Sequence, residues 1–341
     1  MLHFKIMRGM NIIVINIGTI GTNWITDEFI KCASLTEDFR LNAVYSRTEE
    51  KAKLFAQKYG VKNVFTDLYE MAKSSCIDAV YIASPNSFHS RQAILFLNNG
   101  KHVLCEKPAA SNVKELKSMI TAAQNNNMLI MEGMMTTFLP NFKVIEDNIH
   151  KIGKIRRYFA SYCQYSSRYD RYKEGKPVNT FNPEFSNGSL MDIGTYCIHP
   201  AVKLFGKPDS VKAGALRLTS GIDGEGSVIL SYKDMECTII HSKIADSYLP
   251  SEIQGENGSM IIDKINNPEK VQIIYRDGEK EDLSVPQIKE TMYYEAEEFI
   301  GLIKDNKTES SVNSYAQSVT VMEIIEEARK QTGIVFPADK L

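Results

Sequence analysis

The sequence predicts an α/β chain in two parts: a doubly wound parallel sheet, then a domain built on a largely antiparallel sheet. Three observations carry this. From Asn11 to about Met131, short β-branched runs alternate with helical stretches, the signature of a parallel sheet covered on both faces. After about Pro140, alternating strands follow one another, often with no helix between them. The length of 341 residues suits two domains at about 150 residues each. The expected division is residues 10–133 and residues 134–341.

In the first part the strands are expected at Ile12 to Ile20, Leu41 to Tyr45, Asp78 to Ala83, His102 to Cys105 and Met128 to Met131. Helices fit between them, for example over Glu49 to Tyr59 and Asn112 to Asn125. Ligands of such a sheet sit at the carboxyl ends of its strands. In the second part strands are expected at Ile155 to Tyr165, Val211 to Leu218, Ser227 to Tyr232, Glu236 to Ser242, Ser259 to Asp263 and Val271 to Tyr275. Two helices follow, Gln287 to Lys304 and Ser314 to Gln331, the second stopped by Gly333 with Pro337 beyond. Met1 to Met10 show no periodicity and read as a loose extension. The uncharged run Gly9 to Thr26 superficially resembles a targeting segment, but Asn11, Asn16, Gly18, Gly21 and Asn23 interrupt it, and it reads as a buried strand entering a loop.

Hydrophobic residues make up 43% and charged residues 24%, an ordinary soluble balance that excludes collagenous, disordered and membrane-spanning classes. With 40 Lys+Arg against 42 Asp+Glu, the net charge is -2, so nothing points to nucleic acid and a small-molecule partner is expected. The 6 cysteines contain no C-x-x-C pair, which fits a reducing, cytoplasmic setting and suggests no metal site.

A buried strand that runs through a glycine turn into a helix is where a Rossmann domain holds pyrophosphate, because free backbone N-H groups and the helix dipole favour an anion there. Two registers are open, Asn16-x-Gly18-x-x-Gly21 and Gly21-x-Asn23-x-x-Thr26. The second is preferred, since it leaves a full-length strand and an N-cap at Thr22 or Asn23. The candidate contacts are then Gly21, Thr22, Asn23, Trp24 and Ile25. Neither register is a complete G-x-G-x-x-G.

The second strand ends in Tyr45-Ser46-Arg47-Thr48. An acidic residue there would suit the ribose of NAD, whereas the hydroxyl of Ser46 followed by Arg47 suits the 2'-phosphate of NADP. NADP is the expected cofactor, with NAD possible. The competing explanation is that Ser46 caps the next helix while Arg47 is merely solvated.

The strand His102 to Cys105 leads into Glu106-Lys107-Pro108. Pro108 restricts Lys107 to extended geometry. Beside an oxidised nicotinamide and partly desolvated, Lys107 would have a lowered pKa and exchange a proton with a substrate hydroxyl. A surface ion pair is the bland alternative.

Together with Ser84-Pro85-Asn86-Ser87-Phe88-His89 and with Gly188-Ser189-Leu190-Met191-Asp192-Ile193-Gly194-Thr195-Tyr196, these motifs resemble the family of glucose-fructose oxidoreductase, inositol dehydrogenase and MocA-type proteins. The resemblance runs from about Asn11 over nearly the whole chain. It implies an N-terminal Rossmann domain and a C-terminal α+β domain whose large, mostly antiparallel open sheet often mediates oligomerisation. A homodimer or higher homo-oligomer is therefore expected. It implies Lys107 as catalytic acid/base beside the nicotinamide, with Pro108 commonly cis, and Asp192 and Tyr196 as its partners across the cleft. Ser84, Pro85, Asn86, His89, Glu106 and Lys107 become further cofactor-site candidates. Tyr at position 196 is similar to the dihydrodiol and xylose dehydrogenase branch, whose substrates are sugars, polyols and vicinal diols. The sequence departs from the pattern at Asn23, Thr26, Ser189 and Thr137.

On a helix, Asp192, Tyr196 and His199 would form one polar stripe. Asp192 would orient the substrate hydroxyl or tune Lys107, and Tyr196 would donate to the reacting oxygen. With no third ligand at helical spacing, the stripe is not expected to hold a metal. The aromatic stretch from Tyr162 to Tyr172, with Arg168, suits a sugar pocket or equally a solvated loop. Two further readings stand beside a dehydrogenase: a cofactor-sensing regulator on the same fold, and a Rossmann-like protein without cofactor.

Overall fold

The apolar runs of the first half form six parallel strands in a computed structural model that describes residues 13–340. These are β1 (Ile15–Ile20), β2 (Phe39–Tyr45), β3 (Asn63–Phe65), β4 (Ala79–Ile82), β5 (His102–Glu106) and β6 (Ile130–Gly133), laid side by side as β3-β2-β1-β4-β5-β6. Between them run α1 (Trp24–Ala33), α2 (Glu49–Lys58), α3 (Leu68–Lys73), α4 (His89–Asn98) and α5 (Val113–Asn125). Helices cover both faces, so Ile17, Val80, Tyr81 and Leu104 are fully buried. The strand order reverses between β1 and β4, which opens a crevice at their carboxyl ends.

The second half contributes α6 (Pro140–Asn148), β7 (Ile155–Cys163), α7 (Tyr169–Lys173) and α8 (Thr195–Phe205). There follow β8 (Ser210–Arg217), β9 (Asp223–Ser231), β10 (Glu236–Ser242), β11 (Ser251–Gly255), β12 (Gly258–Ile262), β13 (Val271–Tyr275) and β14 (Lys280–Asp282). They lie in the order β14-β13-β12-β11-β7-β10-β9-β8, antiparallel except that β7 and β10 run parallel. α8 packs on β7, and α10 (Tyr315–Thr332) packs on β8 and α8. The other face carries Leu216 and Ile229 exposed.

α9 (Met292–Lys304) returns to the first sheet and packs on α1, where its Phe299 joins Phe29 and Tyr81 in one core. The caps follow the sequence: Asn112 accepts from the Glu115 N-H, Ser314 accepts from the Gln317 N-H, and Gly333 ends α10 at φ 68°.

Several expected bounds move. β1 starts at Ile15 rather than Ile12, which lies outside the described residues, as do Met1 to Met10. The strand expected from Ser227 begins at Asp223, and the one expected to reach Tyr165 ends at Cys163. β3, β11 and β14 have 3, 5 and 3 residues, short runs that show little periodicity by themselves. α9 starts at Met292 rather than Gln287, because the Gln287 amide is tied to Asn141, Asn267 and the Pro268 carbonyl and holds that segment as an anchored loop.

Candidate active site

The turn after β1 falls at Gly21, whose φ of 118° suits glycine. An added Cβ would lie 2.8 Å from the Ala83 carbonyl oxygen, so the first loop and the end of β4 meet without room for a side chain. Asn23 caps α1: its Oδ1 accepts from the amides of Ile25 at 3.1 Å and Thr26 at 3.3 Å, and its Nδ2 donates to Ala83 O at 3.2 Å. This explains both departures in the loop. Asn23 ties the turn to β4, and Thr26 is wholly buried with its hydroxyl toward Asn23. The amides of Thr22, Asn23 and Trp24 make no hydrogen bond to another described residue, and Trp24 is 66% exposed. An anion would find these donors at the head of α1.

Ser46 is buried at the end of β2, with its amide donating to Phe65 O at 3.2 Å. It does not cap α2; Thr48 occupies that position. Arg47 is exposed and forms no ion pair among the described residues, while Glu49 beyond it is engaged by Lys53.

The loop after β4 is braced from within. Ser84 donates to Gln92 Oε1 at 2.6 Å, and Asn86 donates across the cleft to Ser186 O at 2.9 Å and Asn187 Oδ1 at 3.1 Å. His89 is buried between the Ser84 and Pro108 carbonyls, at 2.8 and 3.1 Å, and burial holds its imidazole below the ordinary pKa. Its ring therefore joins the two loops beneath Pro85 instead of presenting a free edge to a ligand.

β5 delivers Lys107 into the cleft, and the Lys107–Pro108 peptide is cis. The segment it meets is a π turn, Leu190–Gly194, running directly into α8. Widened turns of this kind are frequent at functional sites. Lys107 Nζ donates to the Asp192 carbonyl at 2.7 Å and to Asp192 Oδ1 at 3.0 Å, and it lies 4.7 Å from the centre of the Tyr196 ring. The lysine side chain is 12% exposed and that of Asp192 33%, so the pair sits at the floor of the cleft with one side open. The hydroxyls of Tyr196 and Tyr162 make no hydrogen bond to a described residue, and the two rings meet edge to face at 5.7 Å.

The lowered pKa expected of Lys107 beside an oxidised nicotinamide does not come from the chain's own groups. Burial draws the Lys107 ammonium down, but Tyr196, Asp192 and Glu106 together hold it above the ordinary lysine range. At neutral pH the carboxylates do this, because burial keeps the Tyr196 phenol well above its usual pKa and therefore uncharged. A lowered Lys107 pKa thus requires a further positive charge. For Asp192, burial opposes ionisation, yet Lys107 and Lys243 together hold its carboxyl below the usual range.

His199 leaves the expected stripe. It is fully buried, with Nε2 3.3 Å from Glu132 Oε2. Thr137 is likewise buried and donates to Asn313 Oδ1 at 2.6 Å, so it is part of the interior. Of the aromatic stretch, Tyr162 faces Tyr196, whereas Tyr169 and Tyr172 pack on Phe181 and Arg168 donates to Thr180. Ser189 touches His241 Nδ1 at 2.9 Å, and Asp223 Oδ2 accepts from the Leu190 amide at 2.5 Å, which pins the turn that carries Asp192.

Two residues at this site were not expected from the sequence. Lys243, just past β10, places its Nζ on Asp192 Oδ2. Glu295, on α9, is fully buried beside Glu106 with neither oxygen hydrogen-bonded, and burial followed by the Glu106 charge pushes its carboxyl well above the ordinary range. Glu106 itself accepts from Tyr81 at 2.5 Å. No local motif marks either residue, since both reach the site through long-range packing. Among the described residues no group of three or more His, Cys, Asp or Glu is placed to hold a metal, and no helix is long and apolar enough to cross a membrane.

A 3-2-1-4-5-6 parallel sheet with a glycine turn at its reversal point and a lysine at the end of its fifth strand, faced across a cleft by carboxylate and tyrosine, defines a Rossmann-type oxidoreductase. Residues 15–134 match the oxidoreductase family model with NAD-binding Rossmann fold, and residues 148–261 match the GFO/IDH/MocA C-terminal domain. The chain belongs to the Gfo/Idh/MocA oxidoreductase family. It is 59% identical to the scyllo-inositol 2-dehydrogenase (NADP(+)) IolU of Bacillus subtilis, over 96% of this chain and 100% of that protein. The trans-1,2-dihydrobenzene-1,2-diol dehydrogenase of Xenopus laevis is 30% identical, over 94% of this chain and 98% of its own. The fold is shared with the aldose-aldose oxidoreductase of Caulobacter crescentus, at a TM-score of 0.83 and 19% identity, covering 94% of this chain and 98% of that one.

Proposed function

We propose that this protein is an NADP-dependent dehydrogenase that interconverts a secondary ring alcohol of an inositol-like polyol and its ketone. The observation that carries the reading is the Lys107 ammonium, held in the cleft by Asp192 and set 4.7 Å from the centre of the Tyr196 ring, whose hydroxyl is unengaged. The 59% identity to a scyllo-inositol 2-dehydrogenase supports the substrate class and the cofactor.

The cofactor supplies a nicotinamide that accepts or returns a hydride. The chain fits it: the amides of Thr22, Asn23 and Trp24 would hold the pyrophosphate, Gly21 leaves backbone room, and Ser46 with Arg47 would hold the 2'-phosphate. As the neutral amine, Lys107 takes the proton from the reacting hydroxyl during oxidation, and as the ammonium it gives it back during reduction. Asp192 orients its Nζ, and Tyr196 donates a hydrogen bond to the same substrate oxygen as charge develops. On this reading residues 10–133 would be the cofactor unit and 134–341 the substrate unit, with α9 of the second packed into the core of the first. The uncovered face of the second sheet, with Leu216 and Ile229, is the surface through which copies would associate as a homodimer or larger oligomer. The reducing state suited to the 6 cysteines, free wherever described, supports a cytoplasmic setting.

The test follows NADPH formation with scyllo-inositol, myo-inositol, aldoses and trans-diols. Turnover of inositols with NADP is expected, and Lys107→Ala should lower it by about 10²- to 10⁴-fold while changing NADPH affinity only a few-fold. Near-normal turnover in Lys107→Ala would return the lysine to a mere ion pair.

A further inference from the structure

We propose that Lys243 is a positioning residue of this site, clamping one oxygen of Asp192 so that the other stays on Lys107 and the lysine remains able to release its proton. The proposal rests on Lys107 being the proton-transfer group.

The geometry begins with the parallel pairing of β7 and β10. Its register sets His241 against Tyr162 and Ser242 against Cys163, so the residue after Ser242 emerges beside the strand that carries the aromatic wall. The backbone of Lys243 is then pinned from both sides. Its amide donates to Gly224 O at 2.8 Å, and its carbonyl accepts from the Ser166 amide at 2.9 Å. The side chain is 11% exposed and ends on Asp192 Oδ2, while Lys107 Nζ lies on Oδ1 and on the Asp192 carbonyl. A long cationic side chain buried this far is costly unless it is paired, and Asp192 is its partner.

Two ammonium groups therefore share one carboxylate. Without Lys243, Asp192 would be free to turn both oxygens to Lys107 and neutralise it fully, strengthening its hold on the proton. With Lys243 in place, half of the carboxylate is committed elsewhere and a second positive charge stands near Lys107. Both effects act in the same direction, favouring proton release. The other groups facing this cluster are Tyr162 on β7, Tyr196 on α8, Glu106 at the end of β5, and His241 and Asp223 behind the π turn. Both tyrosines are held neutral and His241 is pushed down to about 3 by burial, so none of these three adds a positive charge beside Lys243.

The test compares wild type, Lys243→Met, Lys243→Gln, Lys243→Arg and Lys107→Ala by the pH dependence of kcat/KM for alcohol oxidation, with NADPH binding as the check on folding. In Lys243→Met and Lys243→Gln the acid-side limb governed by Lys107 should move up by about one pH unit, and kcat should fall about tenfold at neutral pH. Lys243→Arg keeps the charge and should restore the limb, and NADPH affinity should hold within a few-fold throughout. If Lys107→Ala is inactive but the limb is unmoved in both neutral variants, Lys243 is only a packing residue and the proposal fails alone. If Lys107→Ala remains active, the underlying assignment of the proton-transfer group fails instead.

Discussion

Cofactor choice should be reversible at the end of β2. The perturbation is Ser46→Asp with Arg47→Ala, made where the backbone is already fixed by the Ser46 amide on Phe65 O. Arg47 is exposed and has no ion-pair partner among the described residues, so its guanidinium need break no internal bond to meet a 2'-phosphate. One such charge-assisted contact contributes about 1.5–3 kcal/mol, which is roughly tenfold to a hundredfold in affinity. NADPH should therefore bind wild type at least about tenfold tighter than NADH, and the double variant should lose or invert that ratio. Because Arg47 is solvated, the preference should also shrink as salt rises. The assay is quenching of Trp24, the sole tryptophan, which stands 66% exposed at the head of α1 beside the proposed pyrophosphate donors. Equal affinities in the wild type would refute the reasoning, as would a preference untouched by losing Arg47.

Other outcomes follow from the same geometry. Asp192→Asn preserves shape but removes the charge that two lysines share, so its effect on kcat should vary with pH more than that of Tyr196→Phe; parallel pH profiles for the two variants would contradict this. Glu295 is buried without a hydrogen bond and titrates above its ordinary 4.5 when folded, so the native state keeps a proton that the unfolded chain releases, and stability falls as pH rises from about 4.5 toward the folded value. Glu295→Gln should then match wild type near pH 5 and exceed it in Tm near pH 8, by about 2–4 °C for each kcal/mol regained, a gain that scanning calorimetry at the two pH values would detect or exclude. Gly188 has φ 141°, and a Cβ there would fall 2.2 Å from Asp223 Oδ1, so Gly188→Ala should destabilise the fold by more than about 1 kcal/mol and disturb the π turn; an unchanged denaturation midpoint would count against that constraint. Light scattering at micromolar concentration should give at least a dimer, and a monomer would remove the uncovered sheet face as an interface.

What was legible in the chain is what local pattern encodes. Alternating runs and helices specify the parallel sheet, Gly21 and Asn23 specify the turn and its cap, and Ser314 and Gly333 bracket the last helix. Lys107, Asp192 and Tyr196 were legible because each sits in a compact motif, and the structure brings all three together. The residues that were not legible reach the site by pairings with no sequence period. The parallel contact of β7 with β10, inside a sheet expected to be mostly antiparallel, is what lifts Lys243 to Asp192. Likewise Glu295 reads as one more acid on an amphipathic helix until α9 folds back against α1 and Gly133 leaves space above Glu106. His199 shows the opposite failure. Its spacing from Tyr196 suggests one shared face, but side chains three residues apart on a helix still diverge by about 60°, and in α8 that leaves Tyr196 at the cleft while His199 turns to Glu132 and the interior. The π turn before α8 brings both the carbonyl and the carboxylate of Asp192 onto Lys107. Local irregularity, invisible to helical periodicity, is therefore what joins the legible motifs of the two halves into one site.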